Sequence, residues 1–209
     1  MQGAMWRRAR LAIALLLGLT APAAAQTADQ TAQHYRPITA EQRVDWVRGS
    51  LFDTRGLTAG LASTTWNTAW NDPDEWGRSW PGVAKRFAAR EAGVAVSNSV
   101  EAGLGAIWGE DPRYLPTQQR TLRARVQHAL KSVVFAPRRD GRYAPAWGRY
   151  SGIAAESVAA NRWLPRSDSG PSHTVMRIAN ALLGQLGSNL FREFWPDLKS
   201  QFLPQNTRE

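Results

Sequence analysis

Apolar positions recur at intervals of three and four over most of the chain, the spacing of helices that bury one face. Thr39 and Gln42 stand at capping-box spacing, in which hydroxyl and amide each satisfy a free backbone N–H. Val44, Val47 and Leu51 follow on one face, so a first helix is predicted from Thr39 to about Gly56. Residues 81–108 predict a long helix of small side chains. Ala84, Ala88 and Ala92 recur every four residues there, leaving a low face that a neighbouring helix can approach closely. Gly109 and the Asp111-Pro112 pair stop it, because proline disfavours helix in the residue before it. Residues 118–134 read as an amphipathic helix, with Leu122, Val126, Leu130 and Val133 on one side and Arg120, Arg125, His128 and Lys131 on the other. A shorter helix built on Ala155 and Ala159 is expected over 150–163. Ser172 is expected to cap a last helix that runs to about Phe194, with Trp195-Pro196 at its end.

No segment alternates apolar and polar positions between hairpin turns, which argues against a membrane β-barrel. Residues 138–148, rich in Gly, Pro and Arg, read as a loop. No run after the N-terminal segment reaches membrane-spanning length without a charge: Glu101 and Arg177 interrupt the two best candidates. Tandem repeats are absent. The expected fold is therefore all-α, a single-domain bundle of about five helices with Ala/Gly packing faces. It should span residues 39–203, after a flexible leader over 26–38 and before a disordered tail over 204–209. The chain has ten tryptophans. Trp66 and Trp70 lie one helical turn apart, as do Trp76 and Trp80, across a turn at Asn71, Asp72, Pro73 and Asp74. Large rings are expected to fill the core that Ala and Gly leave.

The N-terminus changes the compartment. Arg7, Arg8 and Arg10 precede an apolar run from Leu11 to Leu19, and Ala23 and Ala25 take the spacing of a signal-peptidase site, so residues 1–25 read as a cleavable signal peptide. Export to the periplasm, or to the periplasmic face of the outer membrane, is the expected localisation. Basic residues fall from 26 to 23 without Arg7, Arg8 and Arg10, against 17 acidic, leaving a net charge near +6. A cation of that size attracts anionic partners, and outside the inner membrane these are phospholipid and lipopolysaccharide rather than nucleic acid. With no cysteine, thiol catalysis, thiolate metal sites and disulfides are excluded, and the fold must close on its core alone.

Catalytic chemistry is thinly represented. The three histidines are His34, His128 and His173, and none belongs to a zinc, nucleophile-elbow or phosphate-loop motif. No metal or cofactor is expected. Ser167, Asp168, Ser169, Ser172 and His173 bring hydrolase residue types into one segment, but nothing there defines an oxyanion hole; a loop leading into a helix is the favoured reading. Glu101 and Glu156 lie in otherwise weakly charged helices. Such a pair could serve as acid and base of a peptidoglycan-acting glycoside hydrolase, although arginine pairing is the commoner use of helix-borne acids. Asn98, Asn161, Asn180 and Asn189 suggest an internal polar network that sets helix register, or a polar cavity.

The most biased stretch is 113–149, with nine Lys or Arg and only Asp140 as an acid. Arg120, Arg123, Arg125, Lys131, Arg138, Arg139 and Arg142, together with Trp147, are the candidate lipid- or anion-binding residues, in the pattern of an interfacial membrane segment.

Glu110-Asp111-Pro112-Arg113-Tyr114 and Glu193-Phe194-Trp195-Pro196-Asp197 resemble marks of a group of uncharacterised secreted bacterial proteins, over about residues 76–198. In that group a small-residue helix, an acidic Asp-Pro-Arg-Tyr turn, an arginine helix and a Phe-Trp-Pro-Asp segment follow in order. The resemblance implies a secreted helical domain and assigns no activity. The expected function is a non-enzymatic envelope protein whose basic surface meets anionic lipid or lipopolysaccharide. The alternatives are the glycoside hydrolase and a structural component of an outer-membrane complex.

Overall fold

Thr39 closes its capping box as its spacing predicts: Gln42 N donates to Thr39 Oγ1 at 3.2 Å and Thr39 N to Gln42 Oε1 at 3.1 Å. The computed structural model in which this is seen describes residues 35–202. The predicted signal peptide, most of the leader and the tail lie outside them. Helix α1 (Ala40–Phe52) ends at Asp53, three residues before the predicted stop, and α2 (Thr54–Trp70) follows at once. Helix α3 (Trp80–Trp108) carries its predicted proline in the first turn and ends at Gly109, whose φ of 76° suits a residue without Cβ.

Next come α4 (Leu122–Val134) and a two-stranded hairpin, β1 (Phe135–Pro137) and β2 (Tyr143–Pro145), which pairs Ala136 with Ala144. Part of the predicted loop is thus antiparallel sheet, too short to show alternation, with Gly141 at φ 77° in its turn. Helix α5 (Trp147–Ala159) starts three residues early, and short 3-10 turns lead to α6 (Pro171–Phe202). Pro171, not Ser172, opens α6, and its lack of a backbone N–H suits a first helical position, where that group would have no partner in the helix. The helix also continues past its expected end with Pro196 inside it. An ion pair from Arg125 of α4 to Asp197 and the stacked Phe191 and Trp195 rings, 5.0 Å apart, hold the last turns.

The chain is an all-α, single-domain bundle, and its closest helix crossing is between α3 and α5. Gly148 and Gly152 of α5 lie against Glu101, Gly105 and Ser97 of α3, while Glu156 packs on Gly93. Ala84, Ala88 and Ala92, the expected low face, are exposed instead. Glycine permits the nearer approach because even a methyl would overlap the opposing backbone.

The core differs most from expectation. The largest fully buried side chains are Glu193, Asn189, Asp111 and Ser157, and the buried apolar set is small: Tyr114, Val133, Ile153 and four alanines. None of the nine tryptophans among the described residues is buried; Trp80 is 85% exposed, and Trp66 and Trp70 meet edge to face on the surface at 5.7 Å. Long polar side chains fill the volume assigned to the rings. Arg86 is one of them, donating to the carbonyls of Asp72 (2.7 Å), Pro73 (2.7 Å) and Gly77 (2.5 Å) and so clamping the turn between α2 and α3. Likewise Val44 is exposed and Arg43 faces inward from α1, and Leu122 is exposed while Ala129, Ser132 and Val133 form the buried side of α4.

The α3–α5 crossing gives a paired prediction. Gly152→Ala would drive a methyl into the Ser97 carbonyl oxygen and should cost about 1–3 kcal/mol as an overpacking change. Gly103→Ala, with open space around its would-be Cβ, should stabilise by up to about 1 kcal/mol through helix propensity. Thermal denaturation followed by circular dichroism reads both, and equal melting points for the two variants would contradict the crossing.

Candidate functional site

The two pentapeptide segments meet in space. Glu193, 2% exposed on α6, accepts from Tyr114 Oη at 2.5 Å, Thr117 N at 3.2 Å and Arg125 Nε at 3.2 Å. Arg125 also reaches the Glu193 carbonyl and the Asp197 carboxylate. Burial, then the neighbouring Glu193, pushes the Tyr114 hydroxyl well above the usual phenol range, so it stays a donor. Below this knot Asn189 donates to Ala129 O at 3.1 Å and accepts from Gln185 at 3.0 Å, joining α6 to α4. Asp111 accepts from Tyr35 Oη (3.0 Å), from Arg113 N (3.0 Å) and from the Arg113 guanidinium (2.7 Å). Arg113 therefore serves Asp111, two residues before it. Every arm of Glu193 and Asp111 is taken up by the protein itself, which marks them as braces.

A second ionic cluster lies where α3, α4 and α5 converge. Arg149 Nε binds Glu101 at 3.1 Å, and its Nη1 donates to the Ser132 carbonyl and, at 3.3 Å, to that of Val133, in the last turn of α4. Arginine at a helix C-terminus satisfies carbonyls that have no partner within the helix. Glu110 Oε2 accepts from Gly148 N at 2.8 Å, the Glu110 carbonyl accepts from Arg43, and Glu110 Oε1 is buried without a partner among the described residues. Burial raises the Glu101 carboxyl above its usual range, and Arg149 opposes the rise.

These positions bear on the catalytic alternative. Glu101 is enclosed against Arg149, and Glu156, also raised by burial, accepts from Ser157 Oγ at 3.1 Å beside Gly93. Neither lines the two surface cavities described below. In the serine-rich segment Ser167 donates to Glu75 at 2.6 Å, and His173 Nδ1 stands 4.0 Å from Asp168. Of the asparagines, Asn98 donates to Ser50 (2.7 Å) and Asn161 to Thr174 (3.0 Å), while Asn161 Oδ1 accepts from Arg177 (2.5 Å); Asn180 is exposed. They join helices, in keeping with the register role.

The basic stretch divides in two. Arg125 and Arg149 turn inward, and Lys131 is half-buried over the Tyr143 ring at 4.3 Å, where burial lowers its pKa. Arg120, Arg123, Arg139, Arg142 and Trp147 are exposed, and Arg138 is half-buried. One cavity, of about 540 Å³, lies between Arg120 and the Arg125–Glu193–Asp197 knot. A smaller one, of about 230 Å³, lies between the end of α3 and the hairpin turn, lined by Ile107, Trp108, Gly109, Arg138, Arg139 and Asp140. No group of His, Asp and Glu among the described residues could hold a metal ion. Sequence reasoning missed the inward roles of Arg43, Arg86 and Arg149. Their only signal was an excess of arginine over acids on helices with too few large apolar residues to close a core. No family model, curated protein or solved structure matches the chain.

Arg149→Met would leave Glu101 buried without its counter-charge and should cost about 3–5 kcal/mol near neutral pH. The folded pKa of Glu101 is raised, so folding favours its protonated form. Its contribution to stability is present at low pH and lost as pH rises through the raised value. Without the arginine that rise is steeper, so the deficit of the variant should shrink between about pH 8 and about pH 5. Urea melts at both values measure it, and a deficit independent of pH would contradict the pairing.

Proposed function

We propose that the protein is a non-enzymatic, exported envelope component that works at an anionic lipid or lipopolysaccharide surface. The observation that carries this reading is the inverted distribution of side chains. Ionic groups are buried, while Ile107 (75% exposed), Phe52 (74%) and Leu122 (69%) face outward with most of the tryptophans. Large exposed apolar patches mark protein or membrane contacts. Around Leu122 stand Arg120 and Arg123, at the hairpin turn stand Arg139 and Arg142, and Trp147 opens α5 after the hairpin, all exposed. Cations next to apolar and aromatic side chains suit a bilayer interface, and each basic residue near an anionic surface contributes on the order of 1 kcal/mol. No helix among the described residues is long and apolar enough to cross a membrane. Contact would therefore run through side chains at the lipid surface.

The glycoside hydrolase has less behind it, since its two carboxyls are engaged inside the α3–α5 crossing. A structural role in an outer-membrane complex has one feature in its favour: the exposed line of Ala84, Ala88, Ala92, Ser99 and Gly103 on α3, low enough for a partner helix to lie against.

Flotation with vesicles tests the main reading. The processed protein should float with phosphatidylglycerol-containing vesicles and not with neutral ones, and Arg120→Gln with Arg123→Gln should weaken vesicle affinity by about thirtyfold, two cations' worth. Equal recovery on both vesicle types would remove the reading. A photo-crosslinker at Ala88 in intact cells tests the other: a discrete heavier adduct is expected, and monomer alone would count against it.

A further inference from the structure

We infer that the cavity between the end of α3 and the hairpin turn is a binding site for the phosphate of a lipid headgroup, with Arg138 and Arg139 as the anion contacts and Ile107 and Trp108 as the apolar wall. The inference rests on the membrane reading above and gives it a specific site.

Arg138 provides the first observation. It is half-buried, and its Nε is enclosed with no hydrogen-bond acceptor among the described residues. Arg177 also has an enclosed Nε without an acceptor, but its Nη groups are spent on Asp168, Ser157 and Asn161, and Arg86 and Arg149 are met by carbonyls and a carboxylate. A partly desolvated guanidinium is costly where it stands, and the charge of an anion bound beside it in the cavity would offset that cost. Arg139 provides the second. It spends one N–H on the Ala106 carbonyl at 2.9 Å, which fixes the side chain beside Gly109 and leaves donors of its fork for a ligand. Gly109 itself keeps the floor open: a Cβ there would press on the Arg139 side chain at 3.3 Å. The single acid of the turn, Asp140, accepts from Arg142 N at 3.0 Å and lies 3.9 Å from the Arg142 guanidinium. Charge at the turn is thus three cations to one anion, and the planar forks of Arg138 and Arg139 match phosphate geometry.

The rest of the wall says which kind of phosphate. Ile107 and Trp108 are exposed at the last turn of α3, so the cavity is apolar on one side and cationic on the other. A free phosphate has no use for the apolar side. A lipid presents a charged headgroup and a greasy chain together, and a space of about 230 Å³ takes a headgroup while the chain runs out over Ile107.

Calorimetric titration of the processed protein with short-chain phosphatidylglycerol, held below its micelle-forming concentration, tests the site. The same chains on phosphatidylcholine and inorganic phosphate alone are the comparison arms. The phosphatidylglycerol should bind at least about tenfold more tightly than either. Arg138→Gln with Arg139→Gln should lose about tenfold or more, as should Ile107→Ser, which leaves both arginines in place. Arg48→Gln with Lys85→Gln, exposed cations outside the cavity, should bind as the wild type does. Inorganic phosphate binding as tightly as the lipid would overturn the assignment, as would undiminished binding by the Arg138/Arg139 variant. If the wild type ignores anionic vesicles but takes up the soluble lipid, the wider membrane reading fails and this site stands. If it floats with vesicles whether or not Arg138 and Arg139 are replaced, the site fails alone.

Discussion

An arginine carried into a low-dielectric interior must find acceptors for its fork or the fold loses several kcal/mol. The rest of this structure is arranged around that requirement. Arg149 shows it best. From the first turn of α5 it holds the Glu101 carboxylate of α3 and the terminal carbonyls of α4. One side chain thereby sets the spacing of three helices, and Gly148 and Gly152 on either side of it let α5 come close enough for the reach to work. Arg125 does the same for α4 and α6 through Glu193 and Asp197. Arg86 fixes the α2–α3 turn with carbonyls alone.

A core built this way has little use for large apolar side chains, and they are found outside. The inversion is a single fact with two faces: ionic pairs give the bundle its register, and the displaced rings and aliphatic groups face outward. Hydrogen-bonded buried charges specify geometry strongly while contributing modest net stability. Such a protein would gain from whatever covers its outer surface, since anything that binds only the folded state raises its stability.

Local features were readable in the sequence. The capping box at Thr39 and Gln42, the stop at Gly109 and the helical class all follow from short-range chemistry. The direction of the helix faces did not follow. The apolar spacing of Leu122, Val126, Leu130 and Val133 selects one side of α4, yet Leu122 is exposed, because the Glu193 and Asp197 acceptors that turn Arg125 inward lie about seventy residues away. The same holds for Ala84, Ala88 and Ala92, displaced as the contact face by glycines whose partner helix no local pattern names. Of the candidate site, the exposed arginines of 113–149 were legible as a charge bias. The cavity at the hairpin was not, since it brings Ile107 and Trp108 against residues some thirty positions further on.

The surface position of the indole rings has a spectroscopic corollary. With every described tryptophan at least partly open to its surroundings, unfolding in buffer would shift the emission maximum only slightly, and the usual fluorescence melt would understate the transition. The same rings would respond directly to a change of medium, so a blue shift on adding a lipid or a protein would report coverage of the exterior rather than a rearrangement within.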